Sequence, residues 1–138
     1  LANQLKKIVK VANASPIENS TKFWSGIRDH KHHFFGRQDK PLWRLSLAPA
    51  AEEIVQIDGN HFIEWGGAQR WINTNTPANI IHSSANSRNG YATLFQGDIP
   101  ETPCFPRLDA PLLKLHKRLK SNMDPHGIFN PGRMYPSL

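Results

Sequence analysis

Residues 61–72 read His-Phe-Ile-Glu-Trp-Gly-Gly-Ala-Gln-Arg-Trp-Ile, two short runs rich in aromatic and aliphatic residues on either side of a glycine pair. Such runs are typical of β-strands. The pair Gly66-Gly67 suits the centre of a tight hairpin turn, because glycine adopts positive φ without steric cost. The stretch therefore predicts an antiparallel hairpin with strands at 61–65 and 68–72.

The segments around this hairpin extend it into a sheet. Residues 43–47, Trp-Arg-Leu-Ser-Leu, alternate apolar and polar side chains, which predicts a half-buried strand with Trp43, Leu45 and Leu47 facing the core. In chain order we expect a strand at 43–47, a short helix at 49–55, the hairpin, a helix at 77–87 and a strand at 91–96. This is the split βαββαβ order, so the predicted fold class is α+β, a ferredoxin-like antiparallel sheet with helices on one face.

Further helices are predicted before and after this core. Apolar side chains recur at helical spacing in residues 1–13 and in residues 20–34. A third helix can be capped by Asp109, has Pro111 in its first turn and ends near Asp124-Pro125. We expect a single domain over residues 1–138, with a helix and linker at 1–20, an α+β core at 21–123 and an ordered tail at 124–138.

The composition is that of a globular chain with an excess of basic residues. Among 138 residues there are 17 Lys and Arg against 11 Asp and Glu, a formal net charge of +6. Such a charge admits an anionic partner, but the basic residues are scattered. Cys104 is the only cysteine, so no intrachain disulfide is expected and a reducing compartment fits best. No apolar run approaches the roughly twenty residues needed to cross a bilayer.

The C-terminal tail, Asp124-Pro-His-Gly-Ile-Phe-Asn-Pro-Gly-Arg-Met-Tyr135, is rich in turn residues. Gly127 can leave the preceding helix with positive φ. Residues 130–133, Asn-Pro-Gly-Arg, have Pro and Gly at the positions that a type II turn requires. Phe129 and Tyr135 can anchor the tail on an apolar surface, so we expect an ordered tail.

Following a leucine-rich helix, DPHGIFNPGR resembles the C-terminal signature of FAD-linked oxidases of the vanillyl-alcohol oxidase/p-cresol methylhydroxylase superfamily. Four other blocks, FWSGIRDHKHHFF, WRLSL, IEWGGAQRW and GYATLF, occur in order before the helix. Together the five blocks are similar to the FAD-binding subunit of bacterial glycolate oxidases, from about residue 23 to residue 135.

This resemblance implies a C-terminal cap domain that covers the isoalloxazine ring of FAD and shapes the substrate side of the site. FAD would be bound mainly by an N-terminal domain absent from this sequence, with Asn130, Gly132 and Arg133 of the returning tail as cofactor contacts. The implied reaction is oxidation of glycolate to glyoxylate, in a complex with other flavin and iron–sulfur subunits. We expect the chain alone to hold no FAD and to be inactive, and the complex to be cytoplasmic or peripheral to the inner membrane.

Oxidation of a 2-hydroxy acid by a flavin requires a cation for the carboxylate and a base for the hydroxyl proton. Arg44 and Arg70 lie on predicted strands beside aromatic residues, and a guanidinium can pair with both carboxylate oxygens. Both are therefore candidate substrate-binding residues, although each could also lie on a solvated strand face. His116 is the candidate catalytic base, since histidine titrates near neutral pH, or else a hydrogen-bonded residue of the core.

No metal site is predicted. His30, His32 and His33 are close in sequence but lack the i, i+4 spacing with which two helical histidines bind zinc, and no downstream motif completes a ligand set. They are typical of a solvated helix end.

Two alternatives to a substrate-contacting cap remain open. The chain could be a subunit-interaction module of the same complex without substrate contacts. It could also be a small basic nucleic-acid-binding domain, because ferredoxin-like sheets with exposed aromatic residues can stack bases. Against this, Trp43, Leu45 and Leu47 share one strand face and resemble a core, so no nucleic-acid partner is expected.

Overall fold

The computed structural model describes residues 15, 17–36, 39–97, 99 and 103–138. The chain divides into two compact units, Leu1–Arg37 and Gln38–Leu138. The described part contains three α-helices and a four-stranded sheet. The helix predicted at residues 1–13 lies outside the described residues.

Helix α1 spans Ser20–Arg28 in the first unit. Asn19 caps its N-terminus, since the side-chain oxygen accepts a hydrogen bond from the backbone N–H three residues on, at 2.9 Å. The helix ends well before residue 34, the predicted end. His30 adopts a positive φ of 52°, and the N–H of His32 donates to the carbonyl of Gly26 at 2.9 Å. This pattern satisfies a terminal carbonyl and closes the helix.

The second unit is built on an antiparallel sheet of four strands. They are β1 (Leu42–Ser46), β2 (Asn60–Glu64), β3 (Gln69–Asn73) and β4 (Tyr91–Gln96). Their order across the sheet is β2-β3-β1-β4, and each neighbouring pair is antiparallel. The α+β fold class predicted from the sequence is therefore confirmed.

Two helices accompany this sheet, α2 (Ala78–Asn86) and α3 (Ala110–Met123). The helix predicted at 49–55 is not formed, and that prediction was wrong. Backbone carbonyls of this segment instead accept hydrogen bonds from two guanidinium groups. Arg70 donates to the carbonyl of Glu52 at 2.9 Å, and Arg88 donates to the carbonyl of Glu53 at 3.1 Å. None of the described helices has the length and apolar character needed to cross a membrane.

The hydrophobic core lies on one face of the sheet. Trp43 and Leu45 of β1 are fully buried, as the alternation in this strand predicted. Helix α2 covers the same face with Ile81 and Ala85, which belong to the same buried cluster. Burying each large apolar side chain contributes about 1.5–3 kcal/mol relative to leaving it exposed. The aromatic Trp43 is thus part of the core and not a platform for stacking bases.

The turn between β2 and β3 places both glycines at positive φ, as predicted, but it is longer than the predicted two residues. Strand β2 ends at Glu64 and β3 begins at Gln69, and Trp65, predicted to end a strand, has a φ of 53°. Gly66 and Gly67 have φ values of 61° and 98°, and the N–H of Ala68 donates to the carbonyl of Trp65 at 3.2 Å. Positive φ at both central residues is what a type I′ turn requires. A Cβ atom at Gly67 would lie 2.5 Å from the carbonyl oxygen of Pro49, whereas one at Gly66 would meet nothing within 4 Å.

Substituting Gly67→Ala should therefore destabilise the sheet more than Gly66→Ala. We expect Gly66→Ala to lower the free energy of unfolding by about 1 kcal/mol, the cost of a left-handed alanine. Gly67→Ala adds a backbone clash and should cost about 3 kcal/mol. Urea denaturation of the two variants beside the wild type measures the difference. Equal losses would show that contact with Pro49 does not constrain the turn.

Candidate functional site

Arg44 lies at the centre of the sheet, on the face opposite the core. It is directly opposed by Trp71 of β3 and by Thr93 of β4, and opposed residues project from the same face. The guanidinium carbon of Arg44 lies 5.9 Å from the ring centroid of Phe95. That ring packs edge-on against Trp71, with centroids 4.9 Å apart. The aromatic pair therefore supports a half-buried cation.

No described carboxylate forms an ion pair with Arg44. Glu64, an acid on the same face, accepts a hydrogen bond from Nε1 of Trp71 at 2.8 Å and another from the side-chain amide of Gln69. Its Oε1 oxygen is thus engaged by neighbours on β3. Within the described residues, the donors of Arg44 are left available for the carboxylate of a ligand.

A cavity of about 780 Å³ opens beside Arg44, and we call it the sheet cavity. Arg44 and Thr93 of the sheet line it, and so do His116 of α3 and Tyr135 of the tail. Helix α2 and residues 105–109 supply much of the remaining wall. The sheet cavity is therefore lined both by Arg44, the candidate for binding a substrate carboxylate, and by His116, the candidate base.

His82 lines the α2 side of the sheet cavity. Its ring packs edge-on against Trp43, with centroids 5.3 Å apart, and burial lowers the pKa of His82. Neither ring nitrogen has a hydrogen-bond partner among the residues that the structure describes. The imidazole is therefore neutral at neutral pH and adds no charge to the cavity.

Asp124 organises the start of the tail. The residue is 8% exposed, and its carboxylate accepts hydrogen bonds from the backbone N–H groups of Ile128 and Phe129, each at 2.9 Å. Nζ of Lys120, one turn earlier in α3, donates to the same carboxylate at 2.5 Å and also to the carbonyl of Phe129. The hydrogen bond from Lys120, assisted by the backbone donors, lowers the pKa of Asp124 from 3.8 to about 2. We call this arrangement the Asp124 clamp.

Beyond the Asp124 clamp, the tail makes the predicted turns. Gly127 has a φ of 63°, and Gly132 has a φ of 68°. The N–H of Arg133 donates to the carbonyl of Asn130 at 3.2 Å, which closes the turn over residues 130–133. Gly132 thus sets the direction of the chain at Arg133.

A second cavity, of about 630 Å³, lies between α3 and the tail, and we call it the tail cavity. Asn130 and Arg133 line it together with His116, and Leu119 and Phe129 form part of its apolar wall. His116 therefore lines both cavities. Its ring lies edge-on to that of Tyr135, with centroids 6.3 Å apart.

Arg70 lies on β3, on the core side of the sheet opposite Leu45 of β1, and lines neither of these cavities. The residue is 7% exposed, and its guanidinium donates to the backbone carbonyls of Gly67 at 3.2 Å, Glu52 at 2.9 Å and Ala51. These bonds hold the loop between β1 and β2. Of the residues singled out from the sequence, the sheet cavity unites Arg44 and His116, and the tail cavity unites His116, Asn130 and Arg133.

The histidines of the first unit contact aromatic rings and one another. The rings of His32 and His33 lie 4.0 Å apart, and the ring of His30 lies 4.5 Å from that of Phe35. Across the described ranges of the chain, no group of three or more His, Cys, Asp or Glu residues could hold a metal ion.

Two residues of this site were not anticipated from the sequence. Asp124 carried a usable signal, because an acidic residue that ends a helix just before a glycine-containing turn can accept backbone N–H groups. Thr93 carried none, since its position opposite Arg44 depends on how β4 pairs with β1.

The described residues form a sheet-based α+β module in which Arg44, without an ion pair, lines one cavity and Arg133 lines a second. A comparison of sequences indicates the relatives of this module. The chain is 40% identical over 122 residues to the glycolate oxidase subunit GlcE of Escherichia coli (strain K12), which confirms the resemblance predicted from the five sequence blocks. The match covers 88% of this chain and 33% of GlcE, so the chain spans about one third of the length of that protein. No family model and no solved structure matches the chain.

Replacing Asp124 by asparagine should release the tail, because the amide no longer attracts Lys120 and keeps only one acceptor oxygen. At pH 7 the variant should unfold at lower urea concentration and be cleaved faster in residues 125–138. Since folding lowers the pKa of Asp124, its contribution is present above about pH 4 and is lost as the pH falls toward about 2. The difference between wild type and Asp124→Asn should disappear over that interval.

A matched control is Asp109→Asn, at the N-cap of α3, where Asp109 accepts from the N–H of Leu112 at 2.8 Å. Asparagine caps helices as well as aspartate does, so this variant should remain close to the wild type. A pH-independent difference for Asp124→Asn would contradict the proposed role of the ionised carboxylate.

Proposed function

We propose that this chain is the cap domain of an FAD-dependent subunit that oxidises glycolate to glyoxylate in complex with other flavin and iron–sulfur subunits. The observation that carries this proposal is the 40% identity to a glycolate oxidase subunit over 88% of the chain. The unpaired Arg44 in the sheet cavity supports it, because a hydroxy-acid substrate brings a carboxylate. In this role the 138 residues are inactive alone, since FAD is bound mainly elsewhere.

Arg44 is the group that we assign to the substrate carboxylate. Its planar fork can donate to both oxygens, and support from Phe95 holds the guanidinium at the cavity wall. Arg70, the other candidate, already donates to three backbone carbonyls. We therefore assign Arg70 a structural role, which is to hold the loop between β1 and β2. A charge held in a half-buried site binds an anion more strongly than the same charge in water.

His116 is the group that we assign to the hydroxyl proton. It lines the same sheet cavity as Arg44, so a small substrate held there by its carboxylate would have the imidazole in the wall of its site. A general base must come within hydrogen-bond reach of the proton that it removes. The ring of Tyr135 packs edge-on beside that of His116.

We propose that the tail cavity receives the edge of a flavin ring. An isoalloxazine has apolar faces and a polar rim, and this cavity combines apolar Leu119 and Phe129 with polar Asn130 and Arg133. When bound, FAD supplies the acceptor for the hydride that leaves the substrate. We propose that Asn130 and Arg133 contact its polar rim, and that Gly132 provides the turn that places them.

The decisive experiment uses the whole natural polypeptide with its partner subunits and measures glycolate oxidation beside the flavin spectrum. Arg44→Gln should lower kcat/KM for glycolate by roughly 100-fold, because a charged contact to the carboxylate is lost. Arg44→Lys should retain part of the activity, since it keeps the charge without the fork. Arg118→Gln, an exposed arginine of α3 outside both cavities, is the control and should remain active. A yellow protein that binds no glycolate would contradict the proposed function.

A second role, in subunit interaction, is supported by the outer surface of α3. Leu115 is 59% exposed, Leu119 is 55% exposed and Met123 is 74% exposed, and these residues recur at helical spacing. Leu119 and Met123 also line the tail cavity, so the stripe borders the surface proposed for the flavin, and Leu115 is its member outside that cavity. Contiguous apolar side chains on a surface are typical of a protein–protein contact. We propose that this stripe packs against protein outside the 138 residues when the complex assembles.

Leu115→Glu tests this second role, since Leu115 lines neither cavity. The variant should weaken association with the partner subunits at least tenfold, because it buries a carboxylate in an apolar contact. The free energy of unfolding should change by less than about 0.5 kcal/mol, as the side chain is already exposed. Ser121→Glu adds the same charge outside the stripe and should assemble normally. Normal assembly of both variants would exclude the stripe as an interface.

A further inference from the structure

The hydroxyl of Thr93 is buried without a hydrogen-bond partner among the described residues. The residue is 7% exposed, yet it lines the sheet cavity. Buried hydroxyl groups in proteins almost always have a hydrogen-bond partner, so a buried hydroxyl without one needs an explanation. Valine would fill the same space without the cost of an unsatisfied hydroxyl. Because Thr93 lines a cavity, its unsatisfied hydroxyl is explained if an atom of a ligand seated there completes the hydrogen bond.

Thr93 and Arg44 are placed to contact one ligand. They are directly opposed on β4 and β1, so their Cβ atoms lie about 4.5–5.5 Å apart on the same face. Threonine is branched at Cβ and therefore has few χ1 rotamers, which limits the positions of its hydroxyl. The guanidinium is held over Phe95, so both groups are oriented before a ligand arrives.

The chemistry of the two groups selects the ligand class. Arg44 offers N–H donors and a positive charge, and Thr93 offers one O–H donor. A carboxylate has two oxygens and about four lone-pair positions, enough to accept from both groups at once. A neutral alcohol would leave the charge of Arg44 unpaired.

We propose that Thr93 and Arg44 form a two-point subsite for the carboxylate of a small acid, in which the Thr93 hydroxyl donates to one carboxylate oxygen and fixes its rotation on Arg44. This inference rests on the proposed function in taking a hydroxy acid as the ligand. Thr93 is then a substrate-binding residue, since it contacts the carboxylate and does not act on the reacting bonds.

The test compares Thr93→Val, which removes only the hydroxyl, with Thr93→Ser, which retains it, in the whole natural polypeptide. The probe is oxalate, a carboxylate without an oxidisable C–H bond, titrated by calorimetry. Thr93→Val should weaken oxalate binding roughly tenfold, and Thr93→Ser should stay within about twofold of the wild type. Thr93→Val should also unfold at an equal or higher temperature, because an unsatisfied buried hydroxyl is gone. Ser46→Ala, on the same face of β1 and outside both cavities, should bind as the wild type does.

Kinetics with glycolate provides a second measurement. Loss of a contact made equally in the ground state and the transition state raises KM and leaves kcat unchanged. Thr93→Val should therefore raise KM roughly tenfold with little change in kcat, and Thr93→Ser should restore it. A variant that merely unfolds would instead lower the transition temperature and the amount of active protein.

The outcomes separate this inference from the proposed function. If the wild type oxidises glycolate but Thr93→Val binds oxalate and glycolate normally, the subsite is overturned and the function stands. If oxalate binds in a manner that depends on Thr93 while glycolate is not oxidised, the function fails and the subsite stands. Absence of oxalate binding by the wild type, or equal losses in Thr93→Val and Thr93→Ser, overturns the subsite.

Discussion

The position of β1 between β3 and β4 is the constraint on which the rest of the second unit depends. Trp43 and Leu45 are fully buried against α2, and the pleat of the strand then forces Arg44 to the opposite face. A shift of one residue would bury the guanidinium in the core and expose the indole of Trp43. Burial of Trp43 and Leu45 thus keeps Arg44 on the face of the sheet that borders the cavity.

The Asp124 clamp fixes the position of the tail, as the burial of β1 fixes the position of Arg44. Few apolar contacts hold residues 124–138, since Ile128 is 69% exposed and Phe129 is 66% exposed. The carboxylate of Asp124 instead joins Lys120 of α3 to the backbone at Ile128 and Phe129. Because these contacts are polar and local, the tail is fixed to α3 by charge and hydrogen bonding. The position of Asn130 and Arg133 beside the tail cavity follows from that attachment.

His116 connects the two halves of the candidate site. It lies on α3 and lines both the sheet cavity and the tail cavity. A substrate carboxylate on the sheet side and a flavin edge on the tail side would therefore lie on either side of one imidazole. The proposed oxidation of a hydroxy acid requires the two cavities to join beside His116, because the hydride must pass directly from the substrate carbon to the flavin.

The sequence by itself determined the elements whose causes are local. Alternation predicted β1 and its buried side, the glycine pair predicted the hairpin turn, and Asp109 predicted the start of α3. The tail turn at residues 130–133 followed from its proline and glycine in the same way. The five ordered blocks also predicted the resemblance to a glycolate oxidase subunit, because they match by residue identity and not only by the spacing of apolar residues.

Only the tertiary structure decided which side chains meet. Arg44 and Arg70 have the same local pattern, yet one faces a cavity and the other donates to a loop whose predicted helix does not form. Thr93 lies opposite Arg44 only because of the register in which β4 pairs with β1. Pairing between strands distant in sequence depends on packing of the whole core, whereas turns and caps depend on a few adjacent residues. For that reason the elements could be predicted from the sequence, and the composition of the site could not.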